Sequence, residues 1–237
     1  MGLFRRRLRV TGPPTSSNGA SSMHVHWRAR AEAVEATLQV VSPPVVARLY
    51  FWALQASFTG AGGRHEGAGH LGLQWYPAHP GSTALNWGGY SAAGAELEGT
   101  ASTLASATGN PNTRDFAWTP AHAYRLRISL ARAGHWRGEV TDLVTGVVTH
   151  VRDLFCGGDH LEAPCVWSEV FADCDSASTA VRWSSMTPAP GAVRVTYQSH
   201  AEGGCDNTDV RPDGSGALLQ VTNTARQVPH GTVVPLA

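Results

Sequence analysis

The chain has 237 residues, of which 42% are hydrophobic and 15% are charged, and its formal net charge is zero. A chain of this length can bury a substantial core, and its 26 glycines and 14 prolines stay below the share typical of a disordered chain. All 18 basic residues are arginine, which excludes a phosphate-loop lysine, a protein-kinase lysine and a pyridoxal-bound lysine. The neutral charge also argues against a general nucleic-acid binder.

The N-terminal segment is polar and basic, and it begins Met1-Gly-Leu-Phe-Arg-Arg-Arg. Residues 1–22 are predicted to be a disordered basic tail. No apolar run of about 7–15 residues follows the arginines, so the segment does not match a secretory signal peptide. No run in the chain is long enough to span a membrane as a helix. These features predict a cytoplasmic protein; a misassigned start codon would make it a secreted one.

Residues 23–237 are predicted to form one β-domain, because short segments with period-two alternation are separated by turns rich in Gly, Pro and Asn. The segment Val45–Phe58 is apolar at both odd-numbered and even-numbered positions. This pattern favours a central strand covered on both faces, with a buried helix as the alternative. The chain lacks alternating strand and helix patterns, so we predict an all-β, two-sheet jelly-roll sandwich. The alternating segments are Met23–Arg30, Val34–Val41, His70–Tyr76, Asn86–Tyr90, Tyr124–Leu130, Trp136–Asp142, Val147–Leu154, Val166–Phe171, Ala180–Trp183, Val193–Tyr197 and Leu218–Val221.

Several aromatic strings occur in a fixed order along these segments. They include Tyr50-Phe-Trp52, Asn86-Trp-Gly-Gly-Tyr90 and Val166-Trp-Ser-Glu-Val-Phe-Ala-Asp173. Together they resemble an uncharacterised bacterial family with a concanavalin-A-like sandwich of the lectin and glucanase type. The resemblance covers roughly residues 23–185. It implies a jelly roll whose concave face holds saccharide, and it implies no catalytic residue.

Sugar rings bind to exposed aromatic side chains that have hydrogen-bonding groups beside them. Tryptophan and tyrosine residues of the central strands, with their polar neighbours, match this description. We therefore predict a glycan-binding protein whose partner is a glycan or polysaccharide. Its ligand-binding residues would be Gln74, Trp75, Asn86, Trp87, Tyr90 and Arg137.

Two other functions fit the same fold. A polysaccharide hydrolase or lyase needs two carboxyl groups in one cleft, and Glu139 and Glu169 are the candidates from neighbouring segments. The strand at Glu169 departs from the glucanase pattern, because Phe171 stands where such enzymes have a carboxylate. The third possibility is a protein-interaction module without a small-molecule ligand, and a broad apolar patch would favour it.

The four cysteines all lie in the last third of the chain. An even number in loop-rich sequence suits two disulfides, which we predict as Cys156–Cys165 and Cys174–Cys205; reduced thiols are the alternative. The second bridge would gather oxygen ligands suited to a structural calcium ion, namely Asp173, Asp175, Asp206, Asn207 and Asp209.

No other cofactor or metal site is predicted. His24 and His26, followed by Glu32, approximate a cupin-type metal site, but the spacing to Glu32 is one residue too long and no later glycine-rich motif supplies the last histidine. They are instead predicted to lie on a solvated strand face. His65 and His70 approximate a zinc-peptidase motif, but one extra residue and several glycines exclude the helix that this motif needs.

Overall fold

The computed structural model describes residues 21–174, 176–198 and 208–236. Within these ranges the chain forms sixteen strands and two short 3-10 turns, Ala61–Gly63 and Pro80–Ser82. None of its described helical segments is long and apolar enough to cross a membrane. The strands are β1 (Ser21–His26), β2 (Arg30–Ala31), β3 (Ala33–Ser42), β4 (Tyr50–Thr59), β5 (His65–Trp75), β6 (Thr83–Ser91), β7 (Thr113–Asp115), β8 (Ala123–Arg132), β9 (His135–Asp142), β10 (Val148–Phe155), β11 (His160–Val170), β12 (Ala180–Thr187), β13 (Ala192–Gln198), β14 (Asp209–Pro212), β15 (Leu218–Val221) and β16 (Val233–Pro235).

The strands form two antiparallel sheets that pack face to face. The nine-stranded sheet has the order β16-β13-β1-β11-β4-β5-β6-β7, with the short β2 also paired to β11. The seven-stranded sheet has the order β10-β9-β8-β3-β12-β15-β14. The predicted all-β sandwich in a single domain is therefore confirmed.

Buried and more exposed residues alternate along the strands, and this alternation determines which side chains face the core. On β3 the residues Val34, Ala36, Leu38 and Val40 are all buried, while the residues between them are mostly more exposed. Such alternation puts one face of a strand against the opposite sheet. The largest fully buried side chains between the sheets are Trp52, Trp87, Trp136 and Trp183. Tryptophan therefore builds the core of this sandwich.

Several strand bounds differ from the prediction. Ser21 and Ser22 belong to β1 rather than to the tail, and the rest of the predicted tail lies outside the described residues. The segment Val45–Phe58 contains β4 and no helix, because its apolar residues pack on both faces of the sheet. β5 begins at His65 instead of His70, since its glycines leave room for large neighbours. A Cβ on Gly69 would lie 2.6 Å from the Phe58 ring and 2.8 Å from the Trp87 ring.

Candidate functional site

One face of the nine-stranded sheet points away from the seven-stranded sheet, and we call it the outer face. Strand pairing sets its side chains in rows, because residues opposite each other on neighbouring strands lie side by side. One row runs Ser22, Glu169, Phe51, Gln74. The next runs Thr196, His24, Trp167, Ala53, Gly72, Asn86, and the third runs Arg194, His26, Cys165, Gln55, His70.

The middle of the outer face is an aromatic patch. Phe51, Ala53, Cys165 and Trp167 form a small buried cluster separate from the main core. The rings of Phe51 and Trp167 meet edge to face, with their centroids 4.8 Å apart. The His70 ring lies 5.8 Å from Phe51 and 5.9 Å from Trp167. The patch therefore has an apolar floor with an imidazole at one side.

Polar side chains are fixed around this patch. The indole Nε1 of Trp167 donates a hydrogen bond to Gln55 Oε1 at 3.1 Å. Because that oxygen is engaged, the amide group of Gln55 presents its two N–H donors elsewhere. On the other side the rings of His24 and His26 stack with centroids 5.7 Å apart, and His24 lies 6.4 Å from Trp167. The apolar floor is thus rimmed by imidazoles and amides.

Glu169 lies at the edge of the patch, between Ser22 on β1 and Phe51 on β4. Burial raises the pKa of its carboxyl from 4.5 to about 7. No arginine or histidine among the described residues forms an ion pair with it, so nothing of opposite charge offsets this burial. The carboxyl therefore exchanges a proton near neutral pH.

The pKa values of the histidine side chains on the outer face are lowered, whereas the pKa of Glu169 is raised. Burial and, to a smaller extent, the nearby His26 lower the pKa of His24 to about 4. Burial likewise lowers the pKa of His70 to about 4, which the Asn86 side chain opposes only in part. The pKa of His26 is also lowered, first by burial and then by the charge of Arg194. At neutral pH these rings are uncharged, and Glu169 is the group beside the patch that titrates.

The raised pKa of Glu169 makes a prediction about stability. Between pH 4.5 and 7 the folded state binds more protons at this carboxyl than the unfolded chain, so the free energy of unfolding falls as the pH rises. We expect Glu169→Gln to match the wild type near pH 4 and to become more stable than it above pH 7. The gain is at most about 3 kcal/mol, and it is smaller to the extent that solvent reaches the carboxyl. Urea unfolding across this pH range measures it, and a constant difference would contradict the assigned burial.

The predicted ligand-binding residues do not form one exposed surface. Trp87 is fully buried in the core, and Trp75 packs against the same core from the edge. Gln74 and Asn86 lie on the outer face, and Tyr90, 55% exposed, follows Asn86 on the same side of β6. Arg137 lies on the seven-stranded sheet, where it donates two hydrogen bonds to Asp153. An aromatic platform built on Trp75 and Trp87 is therefore excluded.

The predicted pair of catalytic carboxylates is also separated. Glu139 lies on β9 among the residues that alternate with the buried Trp136 and Val140, so its side chain points outward from the seven-stranded sheet. Glu169 points outward from the nine-stranded sheet. Because packed sheets are about 10 Å apart, both layers lie between the two carboxyls. This arrangement cannot hold one glycosidic bond between them.

The predicted disulfide between Cys156 and Cys165 is wrong, because both are free thiols. Cys165 belongs to the patch on the outer face, where burial raises the pKa of its thiol to about 12, whereas Cys156 packs against the main core. The second predicted bridge falls on Cys205, which lies outside the described residues.

The predicted calcium ligands also fall partly outside the described residues, namely Asp175, Asp206 and Asn207. Asp209 is fully buried, and its Oδ1 accepts hydrogen bonds from the Tyr197 hydroxyl and the Val228 N–H. Its Oδ2 lies 3.1 Å from Arg211 Nε. Among the described residues no group of three metal-binding side chains converges. Structural calcium stays a prediction.

Sequence reasoning missed the patch itself. It placed His24 and His26 on a polar face but did not join them to His70, Gln55 or Trp167. The alternation of residues along each strand was the available signal. On β4 the core residues alternate with Phe51, Ala53 and Gln55, and on β11 they alternate with Cys165, Trp167 and Glu169. Which of these would stand side by side depends on strand register, which one sequence does not contain.

Comparison with known proteins adds a likeness of fold. No protein-family model matches the chain, and no curated protein matches it either. Two crystal structures of scytalido-glutamic peptidase, one with a transition-state analogue inhibitor and one with a peptide-based transition-state analogue, are similar at TM-scores of 0.42 and 0.41, with 11% and 9% identity. A third structure, the eqolisin-family peptidase SCP-B with the tripeptide Ala-Ile-His, is similar at 0.41 and 10%. Each match covers 85% of this chain and 97% of the other.

At these identities and scores the likeness transfers no residue and no reaction to this chain. The similar structures are described as peptidases, not as concanavalin-A-like lectins or glucanases. With Trp87 buried in the core and the two carboxyls on opposite sides of the sandwich, the predicted glycan binding and glycan hydrolysis are wrong. The resemblance to an uncharacterised bacterial family stays a prediction.

Proposed function

We propose that the outer face is a hydrolytic site in which Glu169 is the general acid–base and the substrate is an extended peptide. The observation that carries this proposal is the carboxyl of Glu169 itself. It stands beside the aromatic patch on the outer face, it forms no ion pair with any described residue, and burial raises its pKa to about 7. In a structural ion pair the pKa of a carboxyl group is lowered, as the pKa of Asp153 beside Arg137 illustrates.

A group with this pKa can take and return one proton in a single turnover. The Glu169 carboxylate accepts a proton from a water molecule, whose oxygen bonds to the carbonyl carbon of the peptide. The carbon–nitrogen bond then breaks, and the Glu169 carboxyl returns the proton to the leaving amine nitrogen. Water is the only co-reactant, and the side chain ends in its starting state.

The negative charge that develops on the carbonyl oxygen needs a hydrogen-bond donor. Gln74 stands in the same row as Glu169, on the far side of Phe51. The two backbones are two strand spacings apart, which is about 10 Å, and a carbonyl group can therefore lie between the two side chains. We assign the amide N–H of Gln74 to this donor role.

The chemistry around the patch favours a peptide as the substrate class. Peptide groups alternate N–H donors and C=O acceptors, and the amides of Gln55 and Gln74 offer complementary groups. The apolar floor formed by Phe51 and Trp167, whose rings are in contact, suits a substrate side chain that packs on top of it. The outer face thus offers one apolar subsite and several amide contacts along an extended chain.

The test is a cleavage assay with internally quenched peptide libraries from acidic to alkaline pH, with products identified by mass spectrometry. Because the carboxylate is the active form of a general base, we expect kcat/KM to rise about tenfold per pH unit below pH 7 and to level off above it. If kcat/KM did not rise with pH below pH 7, Glu169 would not be the general base. An enzyme that cleaves no peptide in the library would overturn the proposed function.

A further inference from the structure

A pocket of about 700 Å³ opens beside the outer face, at the place where the chain leaves β1. One wall is the end of β1 and the two residues after it. The other wall includes the start of β13 with the segment leading into it, and residues at and before β16 also line the pocket. The lining residues are His26, Trp27, Arg28, Ala189, Pro190, Gly191, Ala192, Val193, Arg194, Gly231 and Val233.

The pocket carries positive charge and no lining acid. Arg28 and Arg194 are both exposed, and neither forms an ion pair with a described acidic residue. Arg194 stands opposite His26 on the neighbouring strand, and its charge is one cause of the lowered pKa of that imidazole. Within the described part of the chain, both cations are therefore available to a ligand of opposite charge.

A buried donor adds a second, independent observation. Trp27 is 4% exposed, and its indole Nε1 has no hydrogen-bond acceptor among the described residues. A buried N–H without an acceptor is unfavourable. Trp27 is one of the residues that line the pocket.

We propose that this pocket is a subsite for a carboxylate of the bound peptide. Guanidinium groups match the planar, two-oxygen geometry of a carboxylate, and the apolar walls at Pro190, Val193 and Val233 favour an oxyanion attached to an organic chain over free phosphate. The carboxylate is either the C-terminal group of the peptide or an acidic side chain, and both present the same two oxygens.

The position of the pocket fixes which part of the peptide it contacts. Ser22 stands opposite Glu169, and His26 stands at the mouth of the pocket on the same face of the same strand. Four residues along a strand span about 13 Å, which is also the length of about four residues of an extended substrate. The carboxylate therefore lies about four residues from the bond at Glu169; this spacing rests on the proposed function, whereas the carboxylate preference does not.

Isothermal titration calorimetry tests the subsite without relying on hydrolysis. The protein is the Glu169→Gln variant, and the probes are N-acetylated pentapeptides of one apolar sequence. One probe has a free C-terminus, one has a C-terminal amide, and one has the amide with a glutamate as its last residue. Mass spectrometry of the recovered probes checks for cleavage, so that a failure of the proposed function is seen separately.

We expect a probe with a carboxylate to bind at least about fivefold more tightly than the fully amidated probe. The free-acid and glutamate probes then identify which carboxylate fits. Arg28→Gln and Arg194→Gln should each reduce this preference, whereas Arg125→Gln, an exposed arginine of the seven-stranded sheet, should keep it. High salt should weaken the preference as well.

Equal affinity for all three probes would overturn the subsite, and so would an equal loss in the Arg125→Gln control. Thermal unfolding of each variant shows that it is folded; both arginines are exposed, so little change is expected. Carboxylate-dependent binding together with continued cleavage by the Glu169→Gln variant would support the subsite and overturn the catalytic role of Glu169.

Discussion

Replacing Glu169 with glutamine should lower kcat/KM for peptide cleavage by about 10²–10⁴-fold. Glutamine has nearly the same shape and can occupy the same place between Ser22 and Phe51. It cannot take a proton from water or return one to a leaving amine. The loss should fall mainly on kcat, because the contacts that bind the substrate are retained.

The matched control is Glu139→Gln. Glu139 lies on the opposite outer surface of the sandwich, where its Oε2 is 3.9 Å from Arg127 Nε. The same chemical change there should leave kcat/KM within about twofold of the wild type. An equal loss in both variants would point to a general effect on folding. Full activity in Glu169→Gln would exclude this carboxyl as the acid–base.

Replacing Trp87 with alanine should lower the free energy of unfolding by about 3–5 kcal/mol. Its ring fills a slot between the sheets that exists because two glycines lack side chains. A Cβ on Gly69 would come within 2.8 Å of this ring, and a Cβ on Gly138, in the opposite sheet, would also come within 2.8 Å. The indole Nε1 donates a 3.1 Å hydrogen bond to the carbonyl of Arg152, which would lose its donor.

Tyr90→Ala is the control for this change, because Tyr90 comes from the same strand but is 55% exposed. Its removal should change the free energy of unfolding by less than about 0.5 kcal/mol. Chemical denaturation of both variants measures the difference. A small effect at Trp87 would mean that the surrounding residues close the slot, and a large effect at Tyr90 would mean that its ring covers part of the core.

The sandwich was predictable because its evidence is local. Alternation in segments such as Tyr124–Leu130 and Trp136–Asp142 states directly which side chains face inward. β7, β14 and β16 were not predicted, since three or four residues show little periodicity, although the equally short β15 was predicted. β5 was predicted five residues too short, because glycines at Gly67 and Gly69 read as a connection although they admit the rings and backbone of neighbouring strands.

The candidate site was predictable only in part. Glu169 and Gln74 were both singled out, but in two different roles and with the wrong partners. In the sequence, a tryptophan beside a polar residue suggests an exposed sugar-binding ring, and Trp87 follows Asn86. Adjacent residues of a strand face opposite sides, so Asn86 lies on the outer face because Trp87 lies in the core. Grouping the remaining residues requires the register of β1, β4, β5 and β11.

The central place of β1 has a consequence for how the protein is made. β1 is formed from the first described residues, and both of its neighbours, β11 and β13, come from the second half of the chain. During synthesis β1 cannot pair until β11 and β13 have been made. Pairing across such long sequence separations is slow. The half-made chain therefore exposes the unpaired edges of what will be the middle of a sheet. Refolding from denaturant should be dominated by this late step, and rapid dilution at high protein concentration should favour aggregation over recovery.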